Sequence, residues 1–98
     1  MTAYVISEVE IVNPTLADEY KRLAEASIQR HGGRYVVRGV RPDAVEGVWS
    51  CERRLVIVEF SDMERARKWY ASPDYAEALK LREVALERRL LFAEGLLP

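Results

Sequence analysis

Residues 54–60, Arg-Leu-Val-Ile-Val-Glu-Phe, constrain the fold of this chain more than any other stretch. Val56, Val58 and Phe60 fall on one parity, and Leu55, Ile57 and Glu59 on the other. β-branched residues at alternating positions read as a strand. Because both parities are rich in apolar side chains, neither side of that strand suits open water. One side needs helices over it, and the other needs a second cover.

The rest of the chain supplies the helices. "AYVISEVEIV" (3–12) alternates in the same way, with Val5, Val9 and Ile11 against Tyr4, Ile6, Glu8 and Glu10. A helix follows: Asn13 is an expected N-cap and Pro14 suits the first helical position. Leu16, Tyr20, Leu23, Ala24, Ser27 and His31 recur at helical spacing on one face, and Gly32 or Gly33 supplies the left-handed stop. "RYVVRGV" (34–40) reads as a second strand, and 41–53 is irregular, punctuated by Pro42 and Gly47. After the 54–60 strand, "SDME" reads as a capping box with Ser61 and Glu64. Its helix carries Met63, Ala66, Trp69 and Tyr70 inward. Ser72 and Pro73 restart a further helix that is expected to run to about Glu87, and "RLLFAEG" (89–95) closes as a strand.

The order β-α-β-β-α-β is the split βαβ of ferredoxin-like folds, an α+β domain whose antiparallel sheet carries its helices on one face. The chain, 98 residues long, is read as one domain over 1–98. Val5, Val9, Val56, Val58 and Phe60 are expected under the helices. Tyr4, Ile6, Leu55 and Ile57 are expected on the open face with Glu8 and Glu59, joined by Glu94, Arg34 and Arg38. A second copy packed sheet to sheet would cover that face, making a homodimer.

Charge narrows the partners. Fifteen basic residues stand against sixteen acidic ones, interspersed, which gives no basis for holding a nucleic-acid backbone. No run of residues approaches a membrane span, and no leader pattern opens the sequence. The single cysteine, Cys51, allows no internal disulfide, so a cytoplasmic protein is expected.

The mixture of aliphatics and convergent charge suggests a site for a small organic ligand. Arg38 is assigned to hold an anionic or carbonyl oxygen, with Glu59 or His31 moving a proton. His31 also suits a helix C-terminus, where the dipole favours a cation. Trp49, in the irregular stretch, is placed over the pocket or against a partner subunit. Trp69, Tyr70 and Tyr75 suit a pocket mouth or a helix-to-sheet core. Arg82 falls in the middle of the apolar arc of the last helix, where it snorkels, meets a carboxylate such as Glu59 or Glu94, or touches a ligand. One histidine and one cysteine, far apart in sequence, give no zinc spacing. No phosphate loop or nucleophile elbow is present, so no metal or cofactor is expected.

"HGGRYVVRG" (31–39), "EGVW" (46–49), "VIVEF" (56–60), "ARKWYASPDY" (66–75), "LR" (81–82) and "EG" (94–95) together resemble the domain-of-unknown-function family numbered thirteen-thirty. The resemblance runs through nearly the whole chain in order. One departure is Ser61, where relatives often carry proline. The resemblance implies a dimeric α+β barrel. Its superfamily includes cofactor-independent monooxygenases of the antibiotic-biosynthesis type, muconolactone isomerase-like proteins and haem-binding relatives. It therefore implies a cofactor-independent enzyme acting on a small organic molecule; a non-catalytic ligand-binding or structural homodimer is the alternative.

Overall fold

The computed structural model describes residues 1–96, so the last two residues of the expected 1–98 domain lie outside the described residues. Seven elements follow in order: β1 (Ala3–Ile11), α1 (Pro14–Arg30), β2 (Arg34–Val40), β3 (Arg54–Phe60), α2 (Met63–Tyr70), α3 (Pro73–Ala85) and β4 (Leu86–Glu94). The strands form one antiparallel sheet in the order β2-β3-β1-β4. This is the expected ferredoxin-like arrangement, in which the last strand pairs at the sheet edge with the central first strand.

Local chemistry sets the helix ends. Asn13 Oδ1 accepts from Leu16 N at 3.1 Å, and Pro14 occupies the first turn of α1. Ser72 Oγ accepts from Tyr75 N at 3.2 Å, which starts α3. The cap of α2 differs from expectation: Asp62, one residue after Ser61, accepts from Arg65 N at 2.8 Å. Both residues can cap, and a carboxylate at the N-terminus also gains from the helix dipole. After α1, Gly32 takes φ +79°, the left-handed stop. Gly33 serves a different purpose, because a Cβ there would lie 2.7 Å from the Phe60 ring.

β1 shows the expected alternation. Ala3, Val5, Ser7 and Val9 are buried against the helices, while Tyr4, Ile6, Glu8 and Glu10 are half-buried on the open face. β4 begins three residues earlier than its sequence pattern suggested, and α3 ends at Ala85. Val9 pairs with Arg88 and Ser7 with Leu90, so Leu86, Arg88, Leu90, Phe92 and Glu94 share the helix side. Glu94, expected on the open face, is therefore on the opposite one.

β2 departs further. Arg34 pairs with Glu59 and Tyr35 with Val58, but the register then slips so that Val37 pairs with Ile57 and Arg38 with Val56. A second slip falls at Gly39, whose φ of +71° is a conformation that glycine enters without a Cβ penalty. Each extra residue reverses the parity of those beyond it. Arg34 stays on the open face as expected, but Arg38 is carried to the helix side.

Candidate functional site

The helices do not close completely over the sheet. Between α1 and the concave face of the sheet lies a cleft of about 420 Å³. Its floor is Val5, Ser7, Val9, Val56 and Val58, and Ala24, Ile28 and Trp69 form part of its wall. These side chains follow from the alternation of β1 and β3 and from the helical spacing of α1 and α2. The volume is within the range of small-ligand pockets, and the lining is largely apolar with a few polar groups.

The polar groups converge at the β4 side. Arg88 Nη1 donates to Tyr20 Oη at 2.7 Å, and Nη2 donates to Tyr75 Oη at 2.6 Å. The two tyrosine oxygens are themselves 2.7 Å apart. Tyr20 comes from the buried face of α1, Tyr75 from the first turns of α3 and Arg88 from β4, so three elements position one cluster. Tyr20 and Arg88 line the cleft, while Tyr75 stands fully buried behind them. Trp69 packs on Tyr75 with ring centroids 4.2 Å apart, and its indole N–H donates to Ser27 Oγ at 3.0 Å. Trp69 is thus held as a fixed wall.

Burial raises the pKa of Tyr75 far above the ordinary tyrosine range, and the neighbouring Tyr20 adds to the effect. Burial likewise raises that of Tyr20. Both phenols therefore remain neutral at physiological pH and can act as donors. Burial works against the charge on Arg88, and the two phenol oxygens offset part of that cost by accepting its hydrogen bonds. A guanidinium with two oriented phenols can stabilise negative charge on an oxygen placed beside it. On the cleft floor, Ser7 Oγ is buried and has no hydrogen-bond partner among the described residues.

The residues expected at the site from sequence do not converge. Arg38 reaches the cleft, at its rim, where it pairs with Glu25 Oε1 at 2.8 Å and lies over the Tyr35 ring. Glu59 is on the opposite face of the sheet, bonded to Arg34 Nε at 3.0 Å. His31 follows α1, 3.5 Å from Asp74, beside a small polar hollow with Arg30, Asp62 and Arg65. Trp49 donates its indole N–H to Arg53 O in the 41–53 segment. Tyr70 packs on Tyr75, Trp69 and Phe92, away from the cleft lining. Arg82 has a buried Nε with no partner among the described residues, and it too is outside the cleft lining.

Sequence reasoning missed Arg88 as a site residue because it fell between the expected helix and strand. Once Leu86 opens β4, the parity Leu86–Arg88–Leu90–Phe92 exposes the signal: one cation among apolar positions on the buried side. Tyr20 was legible only as a position on the apolar face of its helix, and Tyr75 as a residue of either a pocket mouth or the core. No three His, Cys, Asp or Glu side chains come together as a metal-binding group among the described residues.

Comparison with known proteins places this geometry in context. A structure of a protein of unknown function from Rhodopseudomonas palustris superposes with a TM-score of 0.80 at 20% identity, covering 99% of this chain and 84% of that one. SnoaB, a cofactor-independent oxygenase from Streptomyces nogalater, gives 0.74 at 11% identity, over 99% and 95% of the two chains. A dimeric protein of unknown function with a ferredoxin-like fold, from Bacteroides fragilis, gives 0.65 at 13% identity, over 96% of each. At these identities the likeness establishes the fold. No curated protein matches the chain in sequence. Residues 2–96 match the family described as "Domain of unknown function (DUF1330)", and the chain, with its ferredoxin-like sheet and helices, belongs to that family.

Proposed function

We propose that the cleft between α1 and the sheet binds a small organic molecule and that the protein is a cofactor-independent enzyme of oxygenase-like or isomerase-like type. The observation carrying this reading is the Arg88 guanidinium, held by two buried tyrosine hydroxyls at the edge of an apolar cleft. Such a group is suited to an oxygen that gains negative charge during reaction. The fold shared with SnoaB, itself a cofactor-independent oxygenase, supports the reading by analogy. Arg38 serves as a rim contact for the ligand, and Trp69 and Tyr35 supply aromatic surface.

The chain acts as one domain and as a homodimer through its open face. Leu91 is 44% exposed there and Val40 47%, beside the half-buried Ile6 and Ile57. The Bacteroides fragilis neighbour is dimeric, which supports a homodimer. Among the described residues no helix is long and apolar enough to cross a membrane, and Cys51 is a free, exposed thiol, which suits a reducing cytoplasm.

A non-catalytic ligand-binding homodimer is the second reading. It is favoured by the cleft lining, which contains no histidine, cysteine or carboxylate and hence no ordinary neutral-pH base. In a Trp49→Phe protein, where Trp69 is the one tryptophan, fluorescence titrated with small aromatic compounds tests the binding step, with Ala24→Phe to fill the cleft. Quenching that disappears in a folded Ala24→Phe protein supports the site, and quenching that persists removes it. Oxygen uptake or isomer formation with any compound that binds then separates enzyme from binder.

A further inference from the structure

Four cations line the cleft: Lys21, Arg38, Arg54 and Arg88. No carboxylate lines it, although acidic residues outnumber basic ones in the chain, sixteen to fifteen. The segregation is therefore local. Not all four cations are equally available. Arg38 is paired with Glu25, and Arg54 Nη1 donates to Gly39 O at 3.1 Å. Lys21 is exposed at the mouth and has no ion pair among the described residues.

Arg88 is the unusual member. It is part-buried, and among the described residues it has no carboxylate partner. The hydroxyls of Tyr20 and Tyr75 accept its hydrogen bonds but bring no charge. A buried cation without a counter-charge is costly, and proteins ordinarily pair it. Its neighbour Arg89, by contrast, is paired, with Glu8 on the other face of the sheet. The cleft also lacks a side chain that would take a proton from a neutral ligand at ordinary pH, so negative charge has no source within it.

Resting on the reading of the cleft as a ligand site, we infer that its ligand is an organic anion. A carboxylate, enolate or acidic phenolate would be seated on Arg88, with an apolar body over the valine floor and Trp69. The ligand itself supplies the missing counter-charge, and Lys21 and Arg54 at the mouth favour its approach.

Naphthoate and its uncharged isostere naphthamide are suitable probes, titrated by calorimetry and by Trp69 fluorescence in the Trp49→Phe protein. The expected result is naphthoate binding tighter by about tenfold or more, as a charge-assisted contact allows. Arg88→Met should bring the two affinities together, and Arg88→Lys should restore part of the gap. Naphthamide binding to the wild-type protein as tightly as naphthoate would overturn the anion preference while leaving the cleft a ligand site. Failure of both probes would overturn the cleft reading and this inference with it. A naphthoate preference undiminished in folded Arg88→Met would remove Arg88 as the anion's seat.

Discussion

On the face turned away from the helices, Glu8 meets Arg89, Glu59 meets Arg34 and Glu87 meets Arg53. On the face beneath α1 and α3, Arg88 meets two neutral tyrosines and Ser7 meets nothing among the described residues. The two faces belong to the same four strands and are a side chain's length apart. On the first, Glu8, Glu59 and Glu87 are matched within the chain, so most of that face can be covered by another copy without an unpaired ion. Charge on the second is left unmatched around an open cleft. Self-sufficient pairing suits assembly, and an unmet guanidinium suits a ligand.

The largest effect should come from breaking the open face. Ile6→Asp combined with Ile57→Asp places unpaired carboxylates at the centre of the proposed dimer contact, at a cost of about 3 kcal/mol or more. Sedimentation should show a dimer becoming a monomer, and a double variant that remains dimeric would move the interface elsewhere.

On the other face, Tyr75→Phe strips Arg88 of one acceptor and Tyr20 of its partner. Loss of about 1–3 kcal/mol is expected, read in denaturant unfolding, because a buried polar group is left unmet. Arg88→Met should behave oppositely, leaving Tm unchanged or higher, since it replaces a buried cation that has no carboxylate. A strong loss of Tm in Arg88→Met would mean that the guanidinium is chiefly structural, and the contrast between the faces would then fail.

The tyrosines also predict a pH dependence. Their folded pKa values lie above the ordinary value of 10.0, so the folded state retains phenolic protons that the unfolded chain gives up. Their contribution to stability is fully present below pH 10 and declines as pH rises beyond it, through the folded pKa. Tm measured at increasing alkalinity should fall less steeply in Tyr20→Phe than in the wild-type protein. The smallest change should be Ser7→Ala, which removes an unmet buried hydroxyl. Tm should hold or rise slightly, by the equivalent of about 1 kcal/mol at most.

Much of the fold was legible because it rests on short-range rules. Alternation in 3–12 and 54–60 assigned the core residues of β1 and β3, and Asn13 and Ser72 marked the starts of α1 and α3. The site was less legible. Arg38 was placed on the wrong face because a bulge leaves no clear trace in "RYVVRGV", and one extra residue reverses everything beyond it. The glycine at position 39 was the only local hint of irregularity. Asp62 displaced Ser61 as a cap because adjacent residues of similar chemistry compete for one backbone N–H.

By itself, then, the sequence determined the order of elements, the two-sided apolar sheet and the need for a cover on each side, since these follow from periodicity and from the cost of wetting apolar surface. Only the tertiary structure decided which charges meet. Tyr20, Tyr75 and Arg88 are separated by 55 and 13 positions along the chain, and their junction depends on strand register and helix packing. Those are set by the simultaneous fit of the whole core, which no local pattern encodes.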